Sequence, residues 1–384
     1  MKEVYLDNAA TSRYKPESVI KAMNYYFNEI GCSPGRGGYE CSLQASRIIL
    51  DTRIILAELF NVKKPEQIIF SHNVTYALNT AIKGLVKKGD HVISTTMDHN
   101  SVLRPLKSLE EQGIIEVDFV QADRQGLINP EDVEKSIKNN TRMIVLTHAS
   151  NVTGTLLPVA EIGKIARDNN LYYILDTAQS AGVYDIDFTS FNLDVLCFTG
   201  HKCLMGPPGT GGFAVIEETA KEMNPLIEGG TGSISDKEYQ PDFLPDKFES
   251  GTINTVGLAG LKAGIEYINN IGRVNIKNMV DTLTARFLTG LEKINRINIH
   301  GPGDINLQAS TVSITIDGFD LGELSYLLAD KYKIMTRSGL HCAPLAHKSI
   351  GTFPEGTIRF SIGYFNTSEE IDYVLNCLQD IVKS

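Results

Sequence analysis

The 384-residue chain holds six cysteines but no C-x-x-C pair and no cysteine–histidine cluster with zinc-ligand spacing. Structural zinc is thereby excluded, and the size and class of the chain argue against disulfides. Cys32, Cys41, Cys197, Cys203, Cys342 and Cys377 are read first as small apolar core residues. No lysine–arginine cluster offsets a formal net charge of −10, which argues against a nucleic-acid surface. No apolar stretch approaches a membrane span, and no basic segment with an apolar run opens the chain. The expectation is a cytoplasmic protein with neither membrane nor nucleic acid as partner. "GPPGTGG" at 206–212 matches neither the dinucleotide fingerprint nor the P-loop, so it reads as a turn.

What is present is ordinary for a globular chain: 42% hydrophobic and 21% charged residues, with length enough for two domains. Short Ile/Val-rich runs predict strands at 67–70, 91–94, 114–120, 142–150, 172–176, 194–200 and 211–216. Amphipathic stretches between them predict helices over 75–89, 101–112, 130–137 and 159–169. Strands alternating with helices imply an α/β fold, a mostly parallel sheet covered on both faces. After about residue 252 the pattern changes. Helices near 255–270 and 274–294 precede strands at 310–316 and 358–363, with helices at 321–331 and from 368. This end reads as a smaller α/β unit, and the loop 229–252 as the boundary. The expected division is a large domain over 16–252 and a small one from 1–15 plus 253–384, the first fifteen residues forming an entry arm.

In open α/β sheets, ligand chemistry gathers at the carboxyl ends of strands. "SHNVT", "MDHNS", "HASN" and "DTAQ" each follow a predicted strand, and Lys202 in "FTGHKCLMG" follows a fifth. A lysine there carries a desolvation cost unless it does chemistry. It is suited to a Schiff base with pyridoxal 5'-phosphate, a cofactor that also needs an acidic partner for its ring nitrogen. Asp176 suits that partner role, although the same spacing fits a helix cap. His99 suits stacking on the ring; a histidine after a strand is also a common structural residue. Asn151 and Gln179 can donate to a ring hydroxyl. Thr75, opening a helix, suits phosphate or a plain N-cap, and Thr199 and His201 flank the lysine closely enough to complete a phosphate cup.

Seven segments in order carry a resemblance: "YLDNAAT", "MDHNS", "HASNVTGT", "LDTAQSAG", "FTGHKCLMGPPGTGG", "FESGTIN" and "RSGLHCAP". From about residue 4 to 380 the chain resembles class V aminotransferase-fold enzymes. Within them it is most similar to the cysteine desulfurase/selenocysteine lyase family, of the Suf-type branch. The resemblance implies a fold type I transferase: a large domain with a mixed, mostly parallel seven-stranded sheet, and a smaller C-terminal α/β domain. It implies that Lys202 holds pyridoxal 5'-phosphate, with Asp176 at the ring nitrogen, His99 stacked, and Gln179 and Asn151 near the ring hydroxyl and substrate. Thr75, Thr199 and His201 would hold the phosphate. Thr252 would reach the cofactor of the other subunit of a homodimer.

Arg359 would grip the carboxylate of the amino acid substrate, bidentately. Cys342 would be the nucleophile, with Arg337 five residues before it favouring the thiolate. The implied reaction converts L-cysteine or L-selenocysteine to L-alanine, leaving the sulfur as a persulfide on Cys342 for an acceptor protein in sulfur metabolism and iron–sulfur cluster assembly. Two departures bear on substrate choice. "GRGGY" places Tyr39 near the substrate where Suf-type enzymes carry a histidine, and Leu340 stands where another histidine is usual. Another thio- or seleno-amino acid therefore remains open as substrate. So do two rivals: another class V enzyme (an aminotransferase or kynureninase-like hydrolase), and a cofactor-free scaffold or sulfur-relay binding protein.

Overall fold

The computed structural model describes residues 3–35 and 37–383. Arg36 of "GRGGY" lies outside the described residues. Seven strands form the large sheet, in the spatial order Ile68–Ser71, Gly211–Val215, Val195–Thr199, Tyr172–Asp176, Thr141–Thr147, Asp90–Thr95 and Ile115–Val120. All neighbours run parallel except around Gly211–Val215, which is antiparallel to both its partners. Two reversals cancel. Ile68–Ser71 therefore points the same way as the central strands, and its carboxyl end opens on the same edge of the sheet as theirs. The mixed, mostly parallel seven-stranded sheet of the expected fold is what the chain forms.

The central strands are apolar without interruption because both faces are covered. Ile144, Leu146, Leu175, Leu196 and Phe198 enter one core, while Met143, Val145, Ile174, Val195 and Cys197 enter the other. Strand periodicity thus deals alternate residues to two cores. A second sheet of four strands, Arg337–Gly339, Thr357–Ser361, Thr311–Ile316 and Ile297–His300, packs on a third core. Val4–Tyr5 pairs with Ile334–Met335 beside it. Helix Thr255–Ile271 packs with the large sheet, through Leu258, Leu261 and Ile265. Helix Arg273–Leu291 spans two cores: Ile276 and Val280 lie in the first, Leu283 and Phe287 in the third.

The predicted strands and helices lie within a few residues of the observed ones, but the helix expected to close on Gly89 ends at Leu85. Helices Glu17–Tyr25 and Glu40–Phe60 were not legible. The second has apolar residues all round: Leu56 and Phe60 are buried, while Leu43 and Leu50 are half exposed. No single stripe stands out in such a pattern. Its Arg53 is buried and pairs with both carboxylate oxygens of Glu249, which also accepts from the Phe70 N–H at 2.6 Å. That pair ties "FESGTIN" to the sheet.

One reading is corrected. Cys32 and Cys41 form a disulfide, their Cα atoms 5.7 Å apart. Gly31 and Gly35, on either side of Cys32, hold φ of 56° and 123°, the positive range that glycine adopts without strain. Cys197 and Cys377 are the buried apolar cysteines expected, whereas Cys203 is partly exposed and Cys342 exposed.

Candidate active site

The five polar clusters meet in a cavity of about 460 Å³ at the carboxyl edge of the large sheet. Thr75, His99, Asn151, Asp176, Gln179, Thr199, His201, Lys202, Arg337, Cys342 and Arg359 all line it. Gly200, two residues before Lys202, lets the "GPPGTGG" turn pack back onto this strand end: a Cβ there would lie 2.1 Å from the Thr210 Oγ1. Removal from water pushes the Lys202 ammonium down to about 8, with nearby Asp176 opposing and Arg359 assisting. Asp176 is buried at the end of its strand, and the same desolvation pushes its carboxyl up. Its Oδ1 accepts from the Ala178 N–H at 2.8 Å. The aspartate therefore caps a turn with one oxygen, and no helix follows it.

His99 caps helix Asn100–Glu111, its Nδ1 accepting from the Ser101 N–H at 3.0 Å. Burial pushes this imidazole down to about 4, so it is neutral and its proton sits on Nε2. The Ser101 hydroxyl also meets the Thr75 hydroxyl at 2.8 Å, linking the histidine to the first turn of helix Val74–Leu85. That turn carries backbone N–H groups without intrahelical partners. His201 Nδ1 meets the Thr11 hydroxyl at 3.1 Å, and burial pushes its ring to about 4 as well.

On the side of the second sheet, Arg359 is buried with Nη2 on Asp7 Oδ1 at 2.9 Å and Nη1 on the Asn151 carbonyl at 3.0 Å. Its Nε–H has no partner among the described residues. Arg337 lies on the other oxygen of Asp7, at 2.8 Å. Asp7, Ser101 and His341 are site residues that composition and spacing did not single out. The signal for Asp7 was available in "YLDNAAT", a charged residue at the end of an apolar stretch. Two expected residues do not line the cavity. Tyr39 is 57% exposed before helix Glu40–Phe60, and Thr252 lines a separate surface depression with Phe70, Tyr76 and Asn254.

The donor set fits pyridoxal phosphate: a lysine of lowered pKa, a buried carboxyl beside it, and a helix N-terminus flanked by hydroxyls and a neutral imidazole. The fold and this cavity define a class V aminotransferase, and the chain belongs to that family, whose model, "Aminotransferase class-V", matches residues 4–374. More particularly, its relatives are cysteine desulfurases, which depend on pyridoxal phosphate. A probable cysteine desulfurase of Methanothermobacter thermautotrophicus is 36% identical, with 98% of this chain and 94% of that protein covered. The cysteine desulfurase IscS of Clostridium botulinum is 32% identical, with 100% and 95% covered. Among solved structures, the apo cysteine desulfurase of Thermococcus onnurineus NA1 superposes with a TM-score of 0.94 at 33% identity, over 99% of this chain and 95% of that one.

Proposed function

We propose that the protein is a pyridoxal phosphate-dependent cysteine desulfurase that moves sulfur from L-cysteine, or selenium from L-selenocysteine, and releases L-alanine. The observation that carries this is one cavity lined by Lys202, Asp176, Arg359 and the exposed Cys342. The bound cofactor supplies an electron sink for charge developing at the substrate Cα. Lys202 would hold it covalently, Asp176 would sit at its ring nitrogen, His99 against the ring, Gln179 and Asn151 at its hydroxyl, and Thr75, Thr199 and His201 around its phosphate. Arg359 is buried and held at two of its nitrogens, so it presents its remaining N–H groups to the substrate carboxylate. Lys202, with its pKa near 8, takes and returns a proton at Nζ. The Cys342 thiolate attacks the substrate sulfur: an S–S bond forms, the Cβ–S bond breaks, and its electron pair ends as a C–H bond of alanine. Cys342 is left as a persulfide, to be discharged to an acceptor protein or a thiol.

Several finer assignments belong to the same reading. The short segment from Arg337 to Cys342 supports the Suf-type branch. The exposed position of Thr252 supports its reaching the cofactor of a second subunit, and exposed Tyr25, Phe27, Leu43 and Leu50 offer apolar surface to such a copy. The two sheets, at 68–215 and 297–361, support a large unit over 16–252 and a small one from 1–15 and 253–384. No helix among the described residues is long and apolar enough to cross a membrane, which is in keeping with a cytoplasmic site of action.

The deciding experiment incubates wild-type enzyme and Cys342→Ala with L-cysteine, measuring alanine and the mass of the protein. Wild type should form alanine and gain one sulfur on Cys342, while the variant should bind cofactor and form neither. Equal alanine production, or a keto acid in place of alanine, would overturn the reading.

A further inference from the structure

His341 and Cys342 are consecutive non-glycine residues in the left-handed region, with φ of 47° and 58°. That conformation is disfavoured for any residue with a Cβ, so something outside the turn must impose it. Three tethers are visible. The Asn151 side-chain amide donates to the His341 carbonyl at 2.7 Å, and the Asn100 N–H donates to the Cys342 carbonyl at 2.7 Å. The third is the imidazole itself, buried, with Nε2 3.1 Å from the Thr357 hydroxyl.

The direction of that third bond follows from proton counting. Ser313 Oγ lies 2.6 Å from the Val152 carbonyl, which only accepts, so Ser313 donates there. Thr357 Oγ1 lies 3.1 Å from Ser313 Oγ and must give its single proton to it. Thr357 is then an acceptor toward His341, and the imidazole carries its proton on Nε2. Its Nδ1 is a bare lone pair, buried and without a partner among the described residues. Burial and the Arg359 charge keep the ring neutral, which rules it out as a carrier of positive charge. A neutral ring fixed at one nitrogen is an anchor.

We propose that His341 is the positioning residue of the nucleophile: its Nε2–H bond to Thr357 locks the 340–343 turn in the left-handed conformation that presents the Cys342 thiol to the cavity. Ser313 and Val152 are the far end of the strut, joining the second sheet to the segment that carries Asn151. Substrate carboxylate binding by Arg359 and sulfur capture by Cys342 are thereby built onto the same strand, Thr357–Ser361.

The test uses the holoenzyme and three variants: His341→Ala, Thr357→Val, and His341→Gln, which restores an N–H donor. For His341→Ala, kcat for alanine release from L-cysteine should fall about 10- to 100-fold with KM within about twofold and the cofactor absorbance unchanged. Amide exchange in the 338–346 peptide should accelerate at least about tenfold. Thr357→Val should reproduce both effects with the ring intact, and it decides the matter if His341→Ala fails to fold. His341→Gln should recover most of the rate and the protection. Wild-type kcat and exchange in Thr357→Val would overturn the proposal, as would a loss carried by KM alone. The kinetic arm rests on the desulfurase reading. The exchange arm reads the turn directly, so protection lost without any L-cysteine turnover in wild type would fault that reading and leave the strut standing.

Discussion

Asp7 and Arg359, 352 residues apart, meet at 2.9 Å with both side chains buried, and the second oxygen of Asp7 holds Arg337 at 2.8 Å. One carboxylate from the entry arm therefore fixes two arginines that face the same cavity as Cys342. The arm is a wall of the site, which makes its fold and its chemistry inseparable.

Asp7→Ala should be strongly destabilising, because Arg359 would stay buried without its counter-charge. Removing one partner of a buried pair costs about 3 kcal/mol or more. Urea denaturation of the holoenzyme measures it, and a loss under about 1 kcal/mol would show that solvent or another residue replaces the carboxylate.

Arg359→Ala should raise KM for L-cysteine by about tenfold or more while the cofactor absorbance is retained. Arg359 lines the cavity and is held there by Asp7 and the Asn151 carbonyl, which sets its guanidinium to meet a carboxylate in that cavity. An unchanged KM would assign the substrate carboxylate to Arg337 or another cation.

Lys202→Ala should reduce alanine formation by about a thousandfold or more, because the covalent hold on the cofactor and the proton-handling amine disappear together. Asp176→Ala should remain folded and still bind cofactor, with a displaced absorbance band and a rate lower by about a hundredfold. Wild-type spectra and rates in Asp176→Ala would reduce that residue to a cap for the Ala178 N–H.

Thermal stability should climb between pH 4 and 6.5 and level off above. Burial pushes His99, His148, His201 and His347 from 6.5 to about 4, so in that window only the unfolded chain takes up their protons. Stability rises with pH wherever the unfolded state binds more protons. Asp98 works against them: burial pushes its carboxyl up to about 7, so its folded form keeps a proton that the unfolded chain has lost. Burial also pushes the Asp176 and Asp194 carboxyls up and the His91, His300 and His341 rings down, so seven imidazoles stand against three carboxyls and the rise prevails. A Tm series from pH 4.5 to 7.5 checks the slope, and His148→Gln should flatten it without touching the cavity. A Tm that falls between 4.5 and 6.5 would contradict the assignment.

The amino-acid sequence by itself determined the alternation of strands and helices, because a sheet covered on both faces needs uninterrupted apolar runs, and these are legible one at a time. It also singled out candidate side chains, since a charged or polar residue at the end of such a run is costly unless it does something there, and those candidates line one cavity. Lys202, Asp176, His99 and Asn151 were visible for that reason. What it did not determine was the company these residues keep. The pairing of Asp7 with Arg359 and Arg337, the Cys32–Cys41 disulfide, and the strut from His341 to Val152 all join segments whose local pattern carries no sign of the partner. Helix Glu40–Phe60 escaped notice because its apolar residues lie on several sides, and only packing shows which of them are buried. Tyr39 and Thr252 lie away from the cavity within one chain, for distance is set by the path of the backbone between elements. Sheet order, with its cancelled reversal at Gly211–Val215, is what turned five separate strand ends into one site.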